Sequence, residues 1–393
     1  MNSPSEDLKE KAAHRIAANA DELVALSHRI HAHPETAFSE QRAARWCAEL
    51  LQAVGIEVQS GICDMPTAFS ATAGTGPFTI ALCCEYDALP GLGHACGHNI
   101  IAAAGVGAAI GLHDLTAELG IRLKVLGTPA EESGGGKVLL LERGAFADVD
   151  IAMMIHPAAI DSAAFRSFAR TTIKVEYRGR AAHAAAAPHL GRNAADAMTV
   201  AQVAIGLLRQ QLPDGCRVHG IAEEAGNAYN IIPSYAAGRF GVRARTVEGM
   251  RYVRARVEEC LRAGALAAGC EFTISTPEPD YLDFRADDEL ASLFEANARS
   301  LGRNPIRIIP AASTDMGNIS QVLPSLHATL AVGPGDAHPH QPAFATHCAS
   351  DSADRAVLDG ATALAWTAID MARLRLGRLR SADLAGTSTT PVV

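Results

Sequence analysis

With 393 residues, 48% of them hydrophobic and 20% charged, the chain has the balance of a globular enzyme and is too long for one small core, so two domains are expected. A net charge of −9 without any basic cluster argues against a nucleic-acid backbone or an anionic membrane as its main partner. Met1 to Lys11 is polar and charged, apolar runs are short, and the nine cysteines show no framework spacing, which together predict a cytoplasmic protein with free thiols and no membrane span.

In chain order, residues 1–20 read as a fraying helix start. Asp21 to Gly55 then carries two helical stretches, broken at His31-Ala32-His33-Pro34-Glu35 by the proline. Strands are predicted at Glu57 to Ser60, Ala68 to Ala73 and Phe78 to Cys84. The small, apolar stretch Ile100 to Leu112 suits a helix packed closely on a sheet. Ile121 to Leu126 reads as a strand, Lys137 to Glu142 as a helix, and Asp150 to Ile155 as a strand. This alternation predicts an α/β domain with a mostly parallel sheet.

The pattern changes near Phe165. A strand over Thr171 to Tyr177, a helix over Ala194 to Gln211, strands at Arg217 to Glu223 and Ser234 to Arg243, a helix over Val247 to Ala268 and a strand at Glu271 to Ser275 give the order β-α-β-β-α-β. That is a ferredoxin-like unit inserted between strands of the first domain. Helices follow at Asp288 to Ser300 and Leu358 to Arg375. The expected boundaries are 1–167 and 284–379 for the first domain, 168–283 for the insert, and 380–393 for a disordered tail.

Four stretches place metal-type ligands just after apolar, strand-like runs: Cys96 and His98, Glu131 and Glu132, His156, and His340. In an open α/β sheet, ligands gather beyond the carboxyl ends of parallel strands. Thiolate, imidazole and carboxylate converging there point to a zinc-like or manganese-like hydrolytic site. Cys96 and His98, two apart among Gly91, Gly93 and Gly97, can reach one ion only from a turning loop; alone they would read as a structural cysteine and a surface histidine. Adjacent Glu131 and Glu132 point in opposite directions on extended chain, so one can ligate while the other faces the substrate water, although such pairs also decorate solvated helix starts. Asp87 either orients a ligand histidine or caps the turn before Pro90. His183, on a small-residue loop of the insert, is either a surface histidine or a donor to a developing oxyanion. Arg243 and Arg245 are candidate partners of a substrate carboxylate.

Taken in order, Asp87-Ala88-Leu89-Pro90, His94-Ala95-Cys96-Gly97-His98-Asn99, Pro129-Ala130-Glu131-Glu132, His156-Pro157, Gly179 to Asn193 and Asn230-Ile231-Ile232-Pro233 resemble the dinuclear metallohydrolases of the aminoacylase, amidohydrolase and carboxypeptidase family. Glu85 to Gly91 and Ser313 to Asn318 look closest to the subgroup of aminoacylase-1-like protein 2 and the p-aminobenzoyl-glutamate hydrolase subunits. Thr314-Asp315-Met316 stands where the wider family more often has Glu-Asp-Phe.

The resemblance implies two divalent ions per subunit, Zn or Mn, held by Cys96, His98, Glu132, His156 and the histidine of a His-x-x-x-Phe pattern that fits His340 to Phe344, with His338 as the alternative. It implies that Glu131 is the general base, that His183 reaches the active site of a partner subunit through a dimerisation lid formed by the insert, and that Asn230 lines the substrate cleft; Arg245, Thr314 and Asp315 join it as candidate substrate contacts. The expected reaction is hydrolysis of the amide bond of an N-acyl amino acid, a dipeptide or an aryl-amide conjugate, in a homodimer, with no nucleic-acid or membrane partner. Two rivals are a hydrolase with Cys96 as nucleophile and a catalytically silent regulatory subunit of a paired amidohydrolase.

Overall fold

A computed structural model describes residues 4–164, 166–307 and 312–386. Twelve strands occur among them, in chain order β1 (Glu57–Ser60), β2 (Phe69–Ala73), β3 (Phe78–Cys84), β4 (Ile121–Gly127), β5 (Ile151–Ala158), β6 (Ser162–Ala164), β7 (Ala169–Arg178), β8 (Arg217–Glu224), β9 (Tyr235–Ala244), β10 (Glu271–Ser275), β11 (Ile306–Arg307) and β12 (Ser325–Ala331). The chain divides into two compact units. The first comprises Met1–Arg166, Arg285–Pro310 and Asn318–Val393, and the second Ser167–Phe284 and Ala311–Gly317.

The first unit carries an eight-stranded sheet in the order β1-β2-β4-β3-β5-β12-β6-β11. Its centre, β4-β3-β5-β12, is parallel throughout, and antiparallel pairing is confined to β1/β2, β2/β4 and β6/β12. All seven residues of β3 are buried, as expected for a strand covered on both faces. The helix His98–Leu112 packs on this sheet with every residue buried. A Cβ at Gly105 would lie 2.4 Å from Cys84 Sγ, so only glycine lets helix and strand approach this closely. The stretch His98–Leu119 is long and apolar enough to cross a membrane, but 83% of its apolar window is buried inside the protein, which accounts for its composition.

The second unit runs β7, helix Ala194–Leu208, β8, β9, helix Val247–Ala268, β10, around an antiparallel sheet in the order β10-β7-β9-β8. Strict alternation along β7 buries Ile173, Val175 and Tyr177 against the helices. Asn193 and Thr246 cap the two helices, accepting from Ala195 and Gly249 N–H.

Four features differ from the sequence expectation. The first helix is continuous from Pro4 to Ala18 rather than frayed. The short strands β6 and β11 extend the main sheet. The segment Ala311–Gly317 groups with the second unit, where Ala312 accepts from Phe168 N–H and Ser313 from Arg243 Nη1 at 3.0 Å. The last helix spans Asp351–Gly386, so residues 380–386 of the expected tail are helical, while 387–393 lie outside the described residues.

Candidate metal centre

The carboxyl ends of β3, β4 and β5, with His340 from the chain beyond β12, bring the expected donors together. Beyond β3 the chain carries buried Glu85, Tyr86 and Asp87 and then enters the loop holding Cys96. Gly97 has φ 78°, and a Cβ there would lie 2.4 Å from Pro157 Cγ; this turn lets Cys96 and His98 face one region although they are two apart. His98 is the first residue of the buried helix, with its ring fully covered. Beyond β4, Ala130 is itself left-handed, at φ 60°, and its carbonyl accepts from Gly135 and Gly136, closing a tight turn around Glu131 and Glu132. His156 lies inside β5 rather than closing it.

Three overlapping donor groups result, each with its ligand atoms within 4.8 Å of one another: Cys96, His98 and His156; Cys96, Glu132 and His340; His98, Glu131 and Glu132. His156 Nε2 lies 3.5 Å from Cys96 Sγ, and His340 Nε2 lies 3.4 Å from Glu132 Oε2. His338 belongs to none of these groups. Cys96, His98 and Glu132 each appear in two groups, which suits neighbouring cations that share ligands. His98 Nε2 and Glu132 Oε1 are buried without hydrogen-bond partners, 3.8 Å apart. Buried polar atoms are seldom left so, and a soft thiolate with imidazoles and carboxylates fits a zinc-like ion.

The electrostatics differ from donor to donor. Burial opposes charge on His98, but Asp87, at 3.0 Å from Nδ1, holds its pKa well above the ordinary range, helped by Cys96 and Glu85. Burial and the neighbouring His98 push His156 down to about 4, keeping it neutral as a ligand must be. Burial, then Glu132, pushes the Cys96 thiol well above its usual range. A cysteine nucleophile needs the opposite shift, whereas coordination would deprotonate this thiol.

Several buried polar groups around the centre escaped sequence reasoning. Lys137 Nζ lies 2.5 Å from Glu85 Oε1, both side chains being covered. His327, in the middle of apolar β12, stacks on His156 with ring centroids 5.6 Å apart. Glu40, fully buried, accepts from Ala130 N–H at 2.9 Å. Of these, His327 alone interrupts an apolar run, which is a readable signal; Glu40 lies in Phe38-Ser39-Glu40-Gln41-Arg42, Glu85 stands two residues from Asp87, and Lys137 follows three glycines.

The remaining candidates lie in the second unit. His183 is exposed, and its Nδ1 accepts from Ala185 and Ala186 N–H. Asn230 is exposed, with its carbonyl accepting from Ala184 N–H. Thr314 and Asp315 are buried. Arg243 and Arg245 line a cleft of about 630 Å³ with Phe168, Asp214 and Arg217.

Residues 81–364 match the model of peptidase family M20/M25/M40. Over 384 residues the chain is 39% identical to the Xaa-Arg dipeptidase of Mus musculus, covering 93% of this chain and 89% of that protein. It is 33% identical to one of the p-aminobenzoyl-glutamate hydrolase subunits of Escherichia coli, over 64% of this chain and 56% of that one. Its fold is similar to that of a dinuclear metal-binding peptidase from Bacillus subtilis, with a TM-score of 0.69 at 20% identity, covering 91% of this chain and 99% of the other.

Proposed function

The chain belongs to peptidase family M20/M25/M40 and is a hydrolase of amide bonds; from that premise we propose that it is a dinuclear metal-dependent amidohydrolase acting on a dipeptide, an N-acyl amino acid or an aryl-amide conjugate. The observation that carries this reading is the convergence of Cys96, His98, Glu131, Glu132, His156 and His340 into overlapping donor groups.

Cys96, His98, Glu132, His156 and His340 would hold two divalent ions, zinc or manganese. When bound, these supply Lewis acidity to the amide carbonyl and acidify water. Glu131 is the general base: it takes the proton of the attacking water and returns it to the leaving amine nitrogen. With Nδ1 accepting two backbone N–H groups, His183 carries its proton on Nε2, the correct form for donating to an oxyanion.

In this reading the second unit is the ferredoxin-like lid and dimerisation domain, and His183 serves the site of a second copy. Edge strand β8 with exposed Ile221, and exposed Val203 and Leu207 on helix Ala194–Leu208, support self-association. Both exposed Asn230 and Arg245 are better suited to substrate contact than buried Thr314 and Asp315. Arg170, Arg243 and Arg217 stand directly opposite one another across β7, β9 and β8, a placement that favours a carboxylate-bearing substrate.

The test is amide cleavage after reconstitution with zinc or manganese, across dipeptides, N-acyl amino acids and p-aminobenzoyl-glutamate. Chelation should abolish turnover and either ion restore it. Turnover that survives chelation but is lost to a thiol alkylator would overturn the reading.

A further inference from the structure

Behind the donor groups lies a buried ion pair that the reaction itself does not use. Glu85 follows the last residue of β3. Lys137 is the second residue of helix Gly136–Glu142, immediately after the turn that carries Glu131 and Glu132. Their side chains are covered, and Lys137 Nζ lies 2.5 Å from Glu85 Oε1. The second carboxylate oxygen behaves differently: Glu85 Oε2 is buried, has no hydrogen-bond partner, and lies 3.4 Å from His98 Nε2. That nitrogen is the one left for a cation, because Nδ1 is engaged by Asp87.

A pair serving the fold alone gains nothing from leaving one oxygen unsatisfied; such atoms in an interior call for a partner, and an ion is one of the partners that qualify. A buried ion pair is also a weak source of stability compared with apolar packing of the same volume. Here the pair has a direction. Its positive end is held on the helix that follows the base, and its negative end faces the nitrogen of a ligand. It therefore draws a cation inward without adding net charge to the interior, and it ties the end of β3 to the turn bearing Glu131 and Glu132.

We propose that Glu85 and Lys137 are a positioning pair for the metal centre, in which Lys137 fixes one oxygen of Glu85 so that the other supplies a preoriented negative charge beside His98 Nε2. This rests on the amidohydrolase reading above. It assigns neither residue to proton transfer. It predicts that cation affinity depends on the pair, whereas the folded state tolerates replacing both charges together.

The experiment is a metal titration of the full chain against a chromophoric chelator, with Zn2+ and Mn2+, beside thermal melts of the metal-free proteins. In the double variant Glu85→Gln, Lys137→Met both buried charges go together, so the metal-free protein should melt close to wild type. Its cation affinity should fall about 10- to 100-fold, the range found when groups that orient ligands are removed. Glu85→Asp keeps the charge but retracts it from His98 by one methylene. It should fold and also bind cations more weakly, which keeps the test open if the double variant does not fold. Wild-type affinity in either folded variant overturns the pair's role alone. A wild-type protein that binds no divalent ion overturns the amidohydrolase reading, and this proposal with it.

Discussion

Asp87 Oδ1 accepts from His98 Nδ1 at 3.0 Å while its other oxygen accepts from Glu132 N–H at 3.0 Å, so one buried carboxylate orients the ring of His98 and the backbone of Glu132. Asp87→Asn keeps the shape but loses the charge, and its amide group can no longer accept at both positions. Cation affinity should fall about 10- to 100-fold with a smaller change in the melting temperature of the metal-free protein. Chelator competition measures this, and an unchanged affinity would remove Asp87 from the centre.

Glu131 belongs to one donor group and Glu132 to two. If Glu131 is the base, Glu131→Gln should bind two ions per chain as the wild type does and lose turnover by at least about 100-fold. Metal content by elemental analysis separates this from a ligand role, since loss of a ligand lowers stoichiometry together with activity. Near-normal turnover in a fully loaded variant would sink the assignment.

Much of the centre was legible because its residues punctuate apolar runs. Cys96, Glu131, Glu132 and His156 follow or interrupt β3, β4 and β5; β3 and β5 are near-continuous apolar runs of the kind buried parallel strands show, while β4 alternates with Arg122 and Lys124 before its buried end. The choice of Glu131 as base and His340 as ligand came from family resemblance, because strand-end spacing cannot divide roles between neighbours. Glu85 and Lys137 were not legible. A lysine opening a helix reads as solvated until a carboxylate 52 residues away is found to cover it. The strands β6 and β11, three and two residues long, are too short for any periodicity. The last helix outruns its expected end because its Leu, Arg and Ala residues favour helix, outweighing a composition that suggested a disordered tail.

Glu40 gives the protein a predicted pH dependence. Burial, and then the charge of Asp87, raise its carboxyl to about 7, against 4.5 in a solvated chain. Between those values the unfolded chain has released its proton while the folded one keeps it. The contribution of Glu40 to stability is therefore full below about pH 4.5 and is lost as pH rises to about 7, a swing of about 3 kcal/mol. Glu40→Gln retains an acceptor for Ala130 N–H but cannot titrate. Denaturant unfolding of both proteins from pH 5 to 8 should give a stability difference, wild type minus variant, that falls up to about pH 7 and then levels. A difference that stays flat over that range would show that Glu40 ionises normally.

His183 tests whether one site draws on two chains. Its ring is exposed and braced by two backbone N–H groups on Nδ1, so His183→Ala should leave metal content and folding intact while lowering turnover by about 100- to 1,000-fold, as loss of an oxyanion donor does. Coexpression with Glu131→Gln then discriminates. In a mixed dimer, one site combines the intact Glu131 of the first chain with the intact His183 of the second, and the other site lacks both. Random pairing makes half the dimers mixed, each with one working site, so activity should recover to about a quarter of wild type. If His183 instead acts on its own chain, every site in the mixture lacks either its base or its donor, and no recovery follows at any mixing ratio.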